Sequence, residues 1–170
     1  MKQLLNLVAY AALSLTLVSS ATISKAAGKL DFSGTYSLDV RKGGTGDSII
    51  QATQKENSVE VTRVEQGKST TNIYSLDGSE GTYTTSSGGT GKGKAYFKGK
   101  FLILENVVVS RPQPSAPAIR LHSKEQWQLS TDSKTLTIKT TFDSPDVSSE
   151  ISNVVFESIN GVMKYVRNSP

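Results

Sequence analysis

Few residues of this chain have the type and spacing that catalysis needs. The segment 88–94, GGTGKGK, has the spacing of a phosphate-binding loop, but Ala95 follows where that loop needs a hydroxyl to bind magnesium. The residues after it indicate a strand, a turn and a second strand, so no helix N-terminus is predicted there to receive a phosphate. We therefore expect this segment to be a flexible hairpin loop.

Nucleophiles and metal ligands are equally scarce. His122 is the only histidine and the chain has no cysteine, which leaves a Ser–His–Asp triad, thiol catalysis and a zinc site without the groups they require. Acid pairs such as Asp143 with Asp146, and Asp77 with Glu80, lie in segments typical of turns, where aspartate bonds to the local backbone. No loop has the oxygen pattern of an EF-hand. The sequence predicts a protein that is not an enzyme and that has no metal site and no cofactor.

One carboxylate does lie among apolar residues on a single strand face. Alternate residues of the predicted strand 119–130 are Ile119, Leu121, Ser123, Glu125, Trp127 and Leu129. Burying an ionised carboxylate without a partner is costly, so Glu125 should be paired, protonated or hydrated. Arg63 is the predicted partner, because it shares a strand face with Val59 and Val61. The alternative is that a bulge turns Glu125 outward, or that both charges lie at the rim.

The elements that position these groups are predicted to be β-strands. Beyond residue 30 the chain has period-two alternation and β-branched segments separated by turn residues, with almost no helical periodicity. The predicted strands are 32–40, 47–54, 58–65, 69–76, 80–86, 94–98, 101–110, 119–130, 135–143, 148–157 and 162–167. Asp77-Gly78 and Asn160-Gly161 are strong hairpin signals, because a type I′ turn needs positive φ at both central residues. We expect Gly78 and Gly161 to adopt positive φ.

Short turns between strands predict an all-β fold, an up-and-down antiparallel β-barrel of about 8–10 strands. Closing the sheet removes exposed edges. A two-sheet sandwich is the alternative, but it needs longer crossover connections. The one long loop, 111–118, joins two long neighbouring strands and is a candidate contact for a protein partner. Strand 101–110 is apolar on both faces, so we expect that loop or a partner to cover it.

The first predicted strand resembles that of the calycins, the lipocalins and fatty-acid-binding proteins. In Phe32-Ser33-Gly34-Thr35-Tyr36-Ser37-Leu38, Tyr36 occupies the place of the tryptophan in their Gly-x-Trp element. The segments 74–80, 93–105 and 125–138 are similar to hairpins of small exported bacterial proteins of lipocalin-like barrel type, a group without an assigned reaction. The resemblance implies a lipocalin-like barrel with a binding or structural role.

Two departures limit what this resemblance implies. Fatty-acid-binding proteins insert a helical lid between their first two strands, whereas here only the short, glycine-rich segment 41–46 fills that gap. Those proteins also use an Arg-x-Tyr pair near the C-terminus to bind a carboxylate. This chain has the reverse order, Tyr165-Val166-Arg167, so we do not transfer that site.

Residues 1–26 have the three-part layout of a secretory signal peptide. A short basic start precedes an apolar segment, 4–18, and Ser24-Lys25-Ala26 fits a small-x-small cleavage site. Cleavage after Ala21 is the second choice. A membrane anchor is the alternative interpretation, but the apolar segment is shorter than the ~20 residues that a spanning helix needs.

Residues 27–170 are predicted to form one lipocalin-like β-barrel domain. Cleavage after Ala26 removes Lys2 and Lys25, which lowers the formal net charge from +4 to +2. Such a balance gives no electrostatic reason to expect nucleic acid or an anionic membrane as a partner, and no second apolar segment is long enough to cross a bilayer. The expected location is periplasmic or secreted.

Two classes of function are consistent with these residues. The first is a barrel that binds a small apolar or amphipathic ligand in its interior, with candidate ligand-binding residues Tyr36, Arg63, Ser123, Glu125 and Trp127. The second is a filled barrel that interacts with, or inhibits, another protein of the cell envelope. Polar residues on inward-facing strand positions favour the first.

Overall fold

The fold is a single antiparallel sheet of ten strands. The structure is a computed structural model, and it describes residues 30–39, 48–85, 88–110, 117–147 and 160–169. The strands are β1 (Gly34–Leu38), β2 (Ser48–Gln54), β3 (Ser58–Glu65), β4 (Lys68–Ser75), β5 (Gly81–Thr84), β6 (Thr90–Lys98), β7 (Phe101–Ser110), β8 (Ile119–Leu129), β9 (Thr135–Asp143) and β10 (Gly161–Arg167). Within the described ranges no helix is long and apolar enough to span a bilayer.

The sheet curls into a nearly closed up-and-down barrel, which confirms the predicted fold class. The strand order is β4-β3-β2-β1-β10-β9-β8-β7-β6-β5, so β4 and β5 stand at its two ends. Asn72 of β4 joins these ends. Its Nδ2 donates to the carbonyl oxygen of Thr84 in β5 (2.8 Å), and its Oδ1 accepts from the Thr84 N–H (2.7 Å). Just beyond β4, Asp77 forms an isolated bridge with Tyr96 of β6.

Period-two alternation fills the interior with apolar side chains. The buried core residues of the strands are Tyr36, Ile50, Ala52, Val59, Val61, Tyr74, Ala95, Leu102, Leu104, Trp127, Leu129, Leu136, Ile138 and Tyr165. Phe32, just before β1, packs among them with its ring centroid 6.2 Å from that of Phe97 and 6.4 Å from that of Trp127. Full burial of each large apolar side chain contributes about 1.5–3 kcal/mol, so this core is the main source of stability.

Tyr36 ties the start of the barrel to its last strand. Its hydroxyl donates to the carbonyl oxygen of Phe32 (3.0 Å) and accepts from Nη2 of Arg167 (2.7 Å). The same Nη2 donates to the carbonyl oxygen of Ser33 (2.7 Å), and the guanidinium lies 5.2 Å from the centroid of the Tyr36 ring. Because β1 and β10 are neighbours in the sheet, these contacts reinforce their pairing.

The predicted Asp77-Gly78 hairpin is wrong, although Gly78 does adopt positive φ (+85°). Asp77 does not adopt positive φ, and β4 and β5 form no ladder with each other. The connection instead carries the chain across the seam that closes the barrel. Gln66-Gly67, between β3 and β4, has positive φ at both residues (51° and 76°), as a type I′ turn requires.

The predicted turn at Asn160-Gly161 is also wrong. Gly161 does not adopt positive φ and is the first residue of β10, paired with Thr140 of β9. The side-chain Oδ1 of Asn160 accepts a hydrogen bond from the backbone N–H of Phe142 at 2.6 Å. The chain is therefore already extended along β9 at this point. The predicted strand 148–157 lies outside the described residues.

The segment 88–94 is mostly strand, which corrects the prediction of a flexible loop. β6 begins at Thr90 and pairs with β5 and β7. Glycine is needed within it at Gly93, where an added Cβ would lie 2.6 Å from Oδ1 of Asn106 and 2.9 Å from a ring carbon of Tyr74. A glycine inside a strand often marks such a close approach.

Strand β7 has apolar residues on both faces, as the sequence predicts, but burial differs along it. Ile103 faces outward and is only 1% exposed, whereas Val109 is 60% exposed. Most of the loop 111–118, which we expected to cover this strand, lies outside the described residues.

Replacing Gly78 by alanine should destabilise the fold by about 1 kcal/mol or more, because an L side chain is strained at positive φ. Gly161→Ala is the matched control. Gly161 has ordinary φ and nothing within 4 Å of an added Cβ, so that change should be close to neutral. Chemical denaturation of both variants measures the difference. Equal effects would contradict the backbone assignment.

Candidate functional site

A cavity of about 210 Å³ lies inside the barrel beside the apolar core. Its apolar wall consists of Ile50, Ile138, Phe142 and Met163. Hydroxyl-bearing residues form most of the remaining wall: Thr70, Tyr83, Thr84, Ser123, Thr140 and Tyr165. Three charged residues complete the lining: Arg63 and Glu125 at inward positions of β3 and β8, and the exposed Glu65 at the end of β3. The cavity therefore combines an apolar wall with converging polar groups, which is the general composition of a small-molecule site.

The polar groups of the cavity centre on Glu125. Its Oε2 atom accepts from Nη2 of Arg63 at 2.6 Å and from the indole Nε1–H of Trp127 at 2.7 Å. The Arg63 guanidinium lies 5.8 Å from the centroid of the Trp127 ring. The side chains of Arg63 and Glu125 are 15% and 14% exposed. The predicted pairing of these two charges is present, and both point inward, so the alternative of an outward-turned Glu125 is excluded.

Burial and charge set the protonation of the neighbouring groups. Burial by itself lowers the pKa of Arg63. The negative charge of Glu125, together with smaller contributions from Tyr74 and Tyr83, outweighs burial, so the net pKa lies above the ordinary value and the guanidinium stays charged. Burial raises the pKa of Tyr74, Tyr83 and Tyr165. Their hydroxyls therefore stay neutral at physiological pH and are able to donate as well as accept hydrogen bonds.

Three of the five predicted ligand-binding residues, Arg63, Ser123 and Glu125, line this cavity. Trp127 is fully buried and reaches the cavity only through its hydrogen bond to Glu125. The structure does not bring Tyr36 to the cavity. That residue is fully buried, and its hydroxyl is already bonded to the backbone of Phe32 and to Arg167.

Two inward polar residues were not singled out from the sequence. Asn72 lines the cavity and closes the barrel, and Asn106 of β7 is 1% exposed with neither amide atom hydrogen-bonded. The alternation of inward and outward residues along a strand could have identified both. Asn72 lies two residues before Tyr74 on the inward face of β4, and Asn106 lies two residues after Leu104 on the inward face of β7. A buried polar residue between apolar neighbours is the informative pattern in such a strand.

The outer face of β6–β9 forms a larger, charged groove of about 410 Å³. At its centre Glu105 accepts from Lys124 (2.8 Å) and Tyr96 (2.8 Å) and lies 3.2 Å from Lys94. The half-exposed His122 lies at the edge, as predicted for an outward residue, with Nδ1 3.4 Å from a carboxylate oxygen of Asp143. Opposite charges here compensate one another, as on a solvated sheet face.

The prediction that Asp146 bonds to its local backbone is wrong. Its carboxylate accepts from the backbone N–H of Arg120 (2.7 Å) and from the guanidinium of the same residue (2.7 and 3.0 Å). Asp77 does behave as predicted, since its Oδ1 accepts from the Ser79 N–H at 2.8 Å.

In the described part of the chain no cluster of three or more His, Cys, Asp or Glu residues is suited to a metal ion.

The strand order and the interior cavity define a small up-and-down β-barrel with a pocket inside it. No family model matches the chain, and no curated protein matches its sequence. Solved structures do match. A REP1-NXSQ fatty acid transporter has a TM-score of 0.50 at 15% identity, with 81% of this chain and 96% of that chain covered.

Fatty-acid-binding protein 1 of Echinococcus granulosus has a TM-score of 0.52 at 11% identity and covers 81% and 98% of the two chains. The Schistosoma mansoni fatty acid binding protein in complex with arachidonic acid has a TM-score of 0.52 at 16% identity and covers 81% and 96%. These structures share the fold of this chain, which agrees with the calycin resemblance of its first strand.

Glu105→Gln should lower stability at pH 7 by about 1–2 kcal/mol. Burial raises the pKa of Glu105, but the hydrogen bonds from Lys124, Tyr96 and Lys94 outweigh it and hold the pKa at about 2, below the ordinary 4.5. A depressed folded-state pKa stabilises above pH 4.5, and that contribution is lost as the pH falls toward 2. The wild type and the variant should therefore converge in acid.

Glu80→Gln is the control for this measurement. Its partner Lys92 and Glu80 itself are 72% and 55% exposed, so the change should stay within about 0.5 kcal/mol at every pH. Urea denaturation between pH 2 and 7 tests both variants. A pH-independent deficit in Glu105→Gln would contradict the assigned charge interaction.

Proposed function

We propose that this chain is an exported barrel that binds a small apolar or amphipathic molecule in its interior. The observation that supports binding is the cavity of about 210 Å³ between the apolar side chains of Ile50, Ile138 and Phe142 and the Arg63–Glu125 pair. An apolar surface takes up the hydrocarbon part of a ligand, and a few fixed polar groups orient its polar end.

The structural neighbours add support by analogy of fold. One is described as a fatty acid transporter and another as a complex with arachidonic acid. Fold alone does not determine a ligand, so the size of the cavity is the more direct guide. At about 210 Å³ it is smaller than the ~300–1,000 Å³ typical of sites for drug-sized molecules. The proposed ligand is accordingly small.

The same small volume favours a second candidate function. A barrel filled by Trp127, Phe32 and their neighbours leaves little interior space, as expected of a protein that acts through its surface. In this alternative the chain interacts with, or inhibits, another protein of the cell envelope, and the Arg63–Glu125 pair contributes only to the structure.

Ligand titration distinguishes the two functions. Trp127 is the only tryptophan and is hydrogen-bonded to a residue that lines the cavity, so binding should change its fluorescence in a saturable way. Short fatty acids, isoprenoids and aromatic amphiphiles are suitable probes. If no probe gives saturable binding, the filled-barrel function is supported instead.

A pair of adjacent substitutions locates the binding. Thr140 is 7% exposed and lines the cavity, whereas its neighbour Thr141 is exposed on the outer face. Thr140→Leu should weaken binding at least tenfold because the larger side chain occupies the cavity, and Thr141→Leu should leave affinity unchanged. Equal effects of the two changes would place the ligand elsewhere.

Export rests on the layout of residues 1–26. We expect bacterial expression of the whole chain to yield a product outside the cytoplasm that begins at Ala27, or at Thr22 if cleavage follows Ala21. Intact-mass measurement of that product tests the proposal. A product that retains Met1 would contradict both export and the charge calculated for the cleaved chain.

A further inference from the structure

We propose that the interior site selects uncharged or cationic amphiphiles and rejects carboxylates. This inference rests on the proposed function, and it concerns the polar end of the ligand. It follows from three features of the cavity: the neutralisation of Arg63 by Glu125, a second carboxylate, that of Glu65, at an exposed position of the lining, and a wall rich in hydroxyl groups.

The positive charge of Arg63 in the cavity is already neutralised by the carboxylate of Glu125. Among the described residues that line the cavity, Arg63 is the only cationic one. Its Nη2 lies 2.6 Å from Oε2 of Glu125, and Trp127 donates to the same oxygen at 2.7 Å. Two donors hold this carboxylate in place. A ligand carboxylate would therefore have to displace Glu125, leaving a buried anion without its partner, which is costly.

Glu65 makes the local charge unfavourable for an anion as well. It lies two residues beyond Arg63 on the same face of β3, at an exposed position of the cavity lining. The lining thus includes one positive and two negative side chains, a net charge of −1. Because Glu65 is exposed to solvent, its repulsion of an anionic head group is partly screened. It therefore adds less to the preference than the cost of displacing Glu125, and it does not oppose a cationic head group.

The remaining polar wall suits a hydroxyl or amine. Thr70, Ser123 and Thr140 contribute aliphatic hydroxyls, and the phenols of Tyr83 and Tyr165 stay protonated because burial raises their pKa. Hydroxyl groups both donate and accept hydrogen bonds, so they satisfy an alcohol or an ammonium head group without any net charge of their own. The hydrocarbon end of the ligand would lie against the apolar wall.

A set of three probes with one chain length tests the head-group preference directly. Octanol, octylamine and octanoate are titrated at neutral pH against the wild-type protein, with Trp127 fluorescence as the readout. We expect octanol and octylamine to bind at least tenfold more tightly than octanoate. Octanoate binding as tightly as octanol would overturn this inference while leaving the proposed function in place. Binding of none of the three would contradict both.

Glu125→Gln tests the cause of the preference. The amide keeps the shape of the side chain and an acceptor for Trp127 but leaves Arg63 uncompensated. The ratio of octanoate affinity to octanol affinity, measured by calorimetry, should then rise at least tenfold. Glu105→Gln, on the outer face, is the control and should leave this ratio unchanged. An unchanged ratio in a folded Glu125→Gln protein would overturn the inference.

A double variant separates charge from shape. Arg63→Met with Glu125→Gln removes both charges, so it should bind octanol without any gain for octanoate. If it gains octanoate affinity as strongly as Glu125→Gln alone, then Arg63 is not the group that attracts the anion and the inference is wrong. The wild-type titration does not depend on whether either variant folds.

Discussion

One oxygen atom, Oε2 of Glu125, organises the interior of this barrel. It joins Arg63 of β3 to Trp127 of β8, two strands that lie far apart in the sheet order, so the interaction exists only when the sheet is curled. Buried charges are tolerated when each has a partner of good geometry. On one side of this pair the interior is packed with apolar side chains, and on the other side it contains the polar cavity.

Strand parity alone was sufficient to predict much of this arrangement. Period two places Glu125 on the face of Trp127 and places Arg63 on the face of Val61. Since both faces are apolar, they must point into the same interior, where two opposite charges pair. Ten of the eleven predicted strands overlap observed ones, because β-branched segments between turn residues give a strong local signal; the eleventh, 148–157, lies outside the described residues.

Contacts between distant parts of the chain could not be predicted in this way. Asp77-Gly78 has the local composition of a hairpin, but whether two strands pair depends on how the whole sheet closes. Tyr36 was predicted to bind the ligand, whereas its hydroxyl is bound by Arg167, more than a hundred residues away. Asn72 likewise acquires its role from Thr84 across the closing seam.

The closure through Asn72 also determines where the barrel wall opens first. Neighbouring strands elsewhere are held by continuous backbone ladders, such as the nine residue pairs between β7 and β8. Within the described residues β4 and β5 are joined instead through side chains, by the two hydrogen bonds of Asn72 and by the rings of Tyr74 and Tyr83, whose centroids are 6.4 Å apart. Hydrogen bonds of this kind contribute on the order of 1 kcal/mol each. Native-state breathing should therefore begin at this seam, with the backbone amides of β5 exchanging with solvent before those of β8.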